Sequence, residues 1–238
     1  MRNKAVITTF FLSSSALTTL SGCTATTADN SVRQYMGEFP SALVELFTEE
    51  HSDFIVSEIF IQETSLGSRN YGVEGITEDE REEMEIVYSF DGKVQSQESS
   101  RRLEELPKDI LKVFKQSFPA TKPSQIDIVT LSSSQNEIYE IQFVYSGRQL
   151  ELNIDQHGSV LQQEEVVSRE ELPLAVSQAT FVEASGMLDV EFEEVTAPDN
   201  SRHYVVEYEN DEGESISYMV TSGGVIVRKD FEVPIKLP

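Results

Sequence analysis

The chain has one cysteine, three histidines and only 18 basic residues against 42 acidic ones. Each scarcity narrows the reading. A single cysteine, Cys23, allows no disulfide within the chain. A net charge of −24 argues against a nucleic-acid partner, whose binding rests on Lys and Arg neutralising phosphates. It argues equally against electrostatic attachment to an anionic membrane surface. His51, His157 and His203 lie far apart in the sequence, so no convergent nitrogen or sulfur set for a transition metal can be read. Gly-x-Ser-x-Gly, His-Glu-x-x-His and phosphate-loop motifs are all missing. The expectation is therefore a non-enzymatic protein without a cofactor.

The first 22 residues read as an export leader. Arg2 and Lys4 give a positive start, Ala5 to Leu20 is apolar or small, and Leu20-Ser21-Gly22-Cys23 comes next. The apolar stretch is shorter than the ~20 residues of a membrane span and is interrupted by Ser and Thr. Leu20, Ser21, Gly22 and Cys23 resemble the bacterial lipobox. That resemblance implies lipidation (palmitate among the chains) at Cys23 and a membrane anchor there. Thr24 in place of Asp resembles lipoproteins passed to the outer membrane, so the expected location is that membrane, facing the periplasm. Residues 23–35 read as lipidated cysteine and flexible tether. Eleven coil residues from Thr24 would hold the folded part roughly 20 Å from the anchor. Losing Arg2 and Lys4 with the leader takes the net charge from −24 to −26. Two readings of that charge stay open, a solvated acidic surface and capture of a cationic partner.

Beyond the tether the chain is periodic. Phe39-Pro40, Leu106-Pro107 and Leu172-Pro173 recur at separations of 67 and 66 residues. From each proline to a valine after a glycine turn (Val94, Val160, Val225) the distances are 54, 53 and 52. Repeats of this kind predict three tandem modules, 36–100, 101–167 and 168–238. In the middle one, Ile110, Leu111, Phe114 and Phe118 have helical spacing. Tyr139, Ile141, Phe143 and Tyr145 then alternate with Glu140, Gln142 and Val144, and Leu150, Leu152 and Ile154 alternate with Glu151 and Asn153. A period of two predicts antiparallel strands with one buried face and one wet face. The expected fold class is α+β: three tandem modules, each one helix packed on a four-stranded antiparallel sheet whose other face is free.

The middle module resembles PepSY-like domains, the group also described as beta-lactamase-inhibitor-like. Leu106-Pro107, the Phe114 and Phe118 stripe, Phe118-Pro119-Ala120 and the paired strands from Glu137 to Asp155 carry the resemblance. The turn His157-Gly158-Ser159-Val160-Leu161 stands where that family has Asp-x-x-Gly-Lys-Leu. The third module replaces Phe-Pro-Ala with Ala184-Ser185-Gly186-Met187, and the first keeps Asp91-Gly92-Lys93 around an irregular centre. The resemblance implies an exported domain that binds or inhibits proteins. It transfers no site residues.

The pattern offers two candidate surfaces. The wet sheet faces would carry Glu140, Gln142, Val144, Glu151 and Asn153 in the middle module, and Val205, Glu207, Glu209 and Met219 in the third. In a row they could form an extended binding surface for another envelope protein. The acidic loops, with Asp79 and Glu80 in one and Asp211 and Glu212 in another, are weak calcium candidates. They would suit a calcium- or cation-responsive structural protein. Asn210-Asp211-Glu212-Gly213 is also ordinary hairpin-turn chemistry.

Overall fold

The computed structural model describes residues 41–65, 67–78, 82–181 and 189–235. The leader, Cys23, the tether, Asp79, Glu80 and the Ala184–Met187 segment lie outside these described residues.

In chain order the elements are α1 (Ser41–Glu50), β1 (Phe54–Thr64), β2 (Arg69–Thr77), β3 (Glu83–Ser89), β4 (Val94–Ser100), α2 (Lys108–Ser117), β5 (Pro123–Leu131), β6 (Asn136–Tyr145), β7 (Arg148–Asp155), β8 (Val160–Val166), α3 (Leu174–Phe181), β9 (Asp189–Thr196), β10 (Arg202–Glu209), β11 (Ser215–Thr221) and β12 (Ile226–Pro234). Single 3₁₀ turns precede α2 and α3. Each is fixed by a glutamate reaching back, with Arg102 N–H donating to Glu105 and Ser168 N–H to Glu171, both at 2.9 Å.

Three separate helix-on-four-strand modules are not what forms. All twelve strands belong to one antiparallel sheet that closes on itself, in the order β1-β12-β11-β10-β9-β8-β7-β6-β5-β4-β3-β2. The expected boundaries are bridged by ladders: β4 on β5 from Ser96–Leu131 to Ser100–Asp127, β8 on β9 from Gln163–Thr196 to Val166–Glu193, and β1 on β12 from Phe60–Pro234 to Thr64–Asp230. The physical reason lies at the edges. A four-stranded sheet exposes two rows of unpaired N–H and C=O groups. Full closure is the arrangement that leaves none.

The core is divided, and it lies on the outer face under the helices. Ile110, Phe114 and Phe118 of the α2 region sit on Tyr139, Ile141, Phe143, Leu150, Leu152 and Ile154. The Phe114 and Phe143 rings meet edge-on at 5.1 Å, the geometry aromatic quadrupoles favour. Leu43 and Phe47 of α1 cover Ile59, Ile61, Val73 and Ile86, and Val176 of α3 covers Tyr204, Val206 and Tyr218. The period-two alternation thus places one residue set against a helix and the next on the inside.

Gly72 and Gly75 weaken β2 as a strand in sequence terms, and the packing explains both. A Cβ at Gly72 would stand 2.0 Å from the Phe60 ring on the inner side. One at Gly75 would stand 2.5 Å from the Phe47 ring on the outer side. Each glycine is the place where an aromatic ring lies flat on the strand.

Candidate functional site: the inner wall of the closed sheet

The face expected to meet solvent turns inward. Closure carries Glu140, Gln142, Asn153, Val205, Glu207 and Met219 into buried positions, with Glu140 fully enclosed and Met219 3 % exposed. Glu151 and Glu209 are half-buried. Val144, at the end of β6, is the one member of that set that stays exposed, at 61 %. The structure therefore brings eight of the nine residues to the inner side of one sheet, without presenting them as an outer docking surface. Asp211 and Glu212 sit in an exposed turn, where Asn210 Oδ1 accepts from the Glu212 and Glu214 N–H groups. Among the described residues, no three Asp, Glu, His or Cys side chains converge to hold a metal ion.

The inner wall is acidic to a degree the separate strands do not suggest. Glu58, Glu74, Glu85 and Glu98 stand directly opposite one another across β1, β2, β3 and β4. Asp127 stands opposite Glu140, Glu151 opposite Glu164, and Glu191 opposite Glu207. Like charges in such register repel and destabilise a sheet. The registers turn one basic side chain other than His203 to this face among the described residues, Arg228, whose Nε lies 2.6 Å from Asp230 Oδ2. At these rungs an acid faces an acid, where the usual arrangement sets a base opposite.

The electrostatic consequence is a wall of carboxyls that resist ionisation. Burial, with Glu74 and Glu58 adding repulsion, pushes Glu85 up to about 8. Burial and the Glu164 charge push Glu151 up to about 8, against bonds from Asn153 and Gln142. Burial, then Glu191 and Glu209, push Glu207 up to about 8. Asp127 rises to about 6, chiefly by burial, with Ser100 and Gln125 holding it down by hydrogen bonds. Glu98, Glu140, Glu193 and Glu232 are all held well above the ordinary carboxylate range by burial first and neighbouring carboxylates second. Opposing charges across several strands act on one another, as Glu232 on β12 and Glu85 on β3 do. That reach places them around a common interior.

Within this wall the carboxyls divide by their partners. Glu164 accepts from Asn153 Nδ2 at 2.9 Å and Gln162 Nε2 at 2.7 Å. A hydrogen bond with Glu193 also helps hold Glu164 down, while burial and the Glu164 charge hold Glu193 well above the ordinary carboxylate range. Glu140 has no such support: it is fully buried and neither carboxylate oxygen has a hydrogen-bond partner. A buried group in that state costs the fold its full desolvation penalty. Val195, Val205 and Met219 form a small apolar cluster on the same inner side. Reading acidic residues as wet missed Asp127, Glu98, Glu85, Glu193 and Glu232. The available signal was the absence of lysine among them, because a solvated face carries both signs.

No family model matches the chain, and no curated protein matches it. Among solved structures it is similar to a DUF2874 family protein from Bacteroides uniformis ATCC 8492, with 21 % identity and a TM-score of 0.43 over 52 % of this chain and 88 % of that one. A second DUF2874 family protein, from Bacteroides ovatus ATCC 8483, gives 16 % and 0.42 over 52 % and 85 %. A BLIP-like protein from Bacteroides fragilis NCTC 9343 gives 23 % and 0.39 over 52 % and 86 %.

Proposed function

We propose that this chain is a non-enzymatic binding protein of the bacterial envelope, anchored by lipid at Cys23, that takes a positively charged ligand on the inner wall of its closed sheet. The observation carrying the proposal is Glu140. A fully buried carboxyl with neither oxygen bonded, in a wall already crowded with carboxyls, is a site built for a positive charge or a proton. Docking of an envelope protein on the nine-residue sheet face is set aside, because closure leaves only Val144 of that set exposed. The anchor is supported by the Leu20–Cys23 lipobox and the leader before it. Incorporation of labelled palmitate, lost in Cys23→Ser, tests it.

A ligand that binds only the native state raises the melting temperature by mass action. At constant ionic strength, cations of different size and valence are expected to raise the midpoint of the wild type. The rise is expected to shrink in Glu140→Gln. A midpoint that tracks ionic strength alone, whatever the cation, contradicts the proposal.

A further inference from the structure

The two ends of the closed sheet differ in charge, and the chain coming from Cys23 enters at one of them. Strand direction alternates around the sheet, so the six turns after odd-numbered strands share one end: 65–68, 90–93, 132–135, 156–159, 197–201 and 222–225. In a chain with 42 acids these turns hold three charged residues, Asp91, Lys93 and Asp199, and the first two form an ion pair at 2.5 Å. At the opposite end, the turns after β2 and β10 carry Glu78, Glu82, Asp211, Glu212 and Glu214. α1 begins at the neutral end. Its last turn leads straight into β1, where His51 O accepts from Phe54 N–H at 3.0 Å. Its first turn lies by the β3–β4 turn, where a Cβ at Gly92 would stand 4.0 Å from Leu43.

Exposed apolar side chains line one arc of the neutral end. Leu174 opens α3 and is 73 % exposed, and Ala175 beside it lies against Gly224. Val225, Ile226 and Val227 follow Gly224 and are all exposed, an apolar run that a surface meeting only water avoids. The run stands clear because β12 outreaches its neighbour, the ladder with β1 ending at Thr64–Asp230. Lys229 O accepts from Ser65 N–H at 2.7 Å, which ties the run to the β1–β2 turn. Past that turn Tyr71 stacks on Phe90, itself 58 % exposed and two residues from Gly92. The arc thus ends where α1 begins. Val227 falls at a bulge, between Ile226 paired with Val220 and Arg228 paired with Met219, and a bulge disfavours adding a strand from a second copy. Ile55, Val144 and Tyr145 are exposed at the acidic end, where the carboxylates of the turns would be repelled by an anionic leaflet.

We infer that the neutral end rests on the bilayer, with Phe90, Leu174, Val225, Ile226 and Val227 entering the boundary between headgroups and acyl chains. This orientation rests on the lipid anchor at Cys23 and not on a ligand at the inner wall. Seventeen residues, Thr24 to Pro40, join Cys23 to α1, at most about 60 Å of chain. Docking by the neutral end uses little of that reach, whereas docking by the acidic end would need the chain to double back along the whole sheet. Apolar area entering the boundary adds to the hold of the acyl chains, and the acidic turns face away from the membrane.

The chain has no tryptophan, so single substitutions report position. Phe90→Trp, Val225→Trp and Val144→Trp are made in the full lipidated chain, all at exposed positions, and melting temperatures check each fold. Fluorescence is compared in phosphatidylcholine vesicles with plain and with brominated acyl chains, and flotation of each variant and of Cys23→Ser measures anchoring. Expected is a blue shift and loss of most of the emission to bromine for Phe90→Trp and Val225→Trp, with Val144→Trp unchanged. Floating protein whose Phe90→Trp and Val225→Trp emission ignores bromine overturns the docking and leaves the anchor standing. Equal quenching of Val144→Trp overturns the orientation. A blue shift that needs no vesicle and grows with protein concentration assigns the arc to a second copy and overturns the docking. Failure of the wild type to float, or flotation unchanged in Cys23→Ser, overturns the anchor and this inference with it.

Discussion

The two faces of the one sheet are built from adjacent residues and obey opposite rules. On β6, Ile141 and Phe143 point outward under α2 and are fully buried among apolar side chains. Glu140, beside Ile141, points inward and is equally buried among carboxyls. Burial alone therefore says nothing about what a position needs. Outside, burial removes apolar area from water and stabilises the fold. Inside, it strips water from charges and works against the fold unless something replaces the water.

Substituting the same residue on each face separates these rules, and the largest effect is expected on the outer one. Ile141→Gln loses a fully buried side chain beneath α2 and leaves an amide without partners, costing about 2–5 kcal/mol. Chemical denaturation is expected to show the loss as a lower midpoint at unchanged slope. An effect smaller than that of a surface substitution would break the comparison at its stronger half.

The Phe60 ring on the inner side gives a steric test of intermediate size. Gly72→Ala places a methyl group where the ring now lies and is expected to cost about 1–3 kcal/mol. Adding Phe60→Ala is expected to cost less in that background than alone, since the clash it relieves exists only there. Additive losses would mean that the ring does not rest on Gly72.

Glu140→Gln should act in the opposite direction to Ile141→Gln. It removes a carboxyl whose ionisation burial and neighbouring carboxylates oppose, so its stability relative to wild type is expected to increase with pH, by about 1–2 kcal/mol at the alkaline end of the range, or several degrees in melting temperature for a chain of this size. Destabilisation of the kind seen for Ile141→Gln would show that Glu140 has a partner. The smallest effect belongs to the rim. Val144→Lys, at a 61 % exposed position, is expected to change stability by less than about 0.5 kcal/mol, measured in the same denaturation series.

The strand faces were legible in the sequence, and their fate was not. Alternation of Tyr139, Ile141 and Phe143 with Glu140 and Gln142 separates two faces from local pattern alone, and α2 does cover the apolar one. Which way the other face looks depends on pairings between residues far apart, such as Phe60 with Pro234. Nothing in a period of two encodes those partners, because any free edge can accept any other. The candidate site was divided in the same way. Glu140, Glu151 and Glu207 could be picked out as one face of their strands, but an acidic residue on a face opposite the core reads as wet. Glu85 stands opposite Glu98 within the β3–β4 hairpin, and only the closure of the sheet turns that pair inward. The glycines of β2 were legible as weak strand positions, while the aromatic rings that require them came from other elements.

The most direct test of a buried acidic wall is stability against pH, measured as the melting temperature from pH 4 to pH 9 without added multivalent cation. Glu85, Glu151 and Glu207 have folded values of about 8 against an ordinary value of 4.5. Between those limits the native chain holds protons that the unfolded chain has released. Stability is therefore full below about 4.5 and is lost as pH rises through about 8. The predicted result is a midpoint that falls steadily across that window. The slope should be shallower in Glu140→Gln and Glu85→Gln and unchanged in the turn variant Asp211→Asn/Glu212→Gln. A midpoint that rises from pH 4.5 to pH 8, or one that falls with the same slope in all these proteins, would contradict the account.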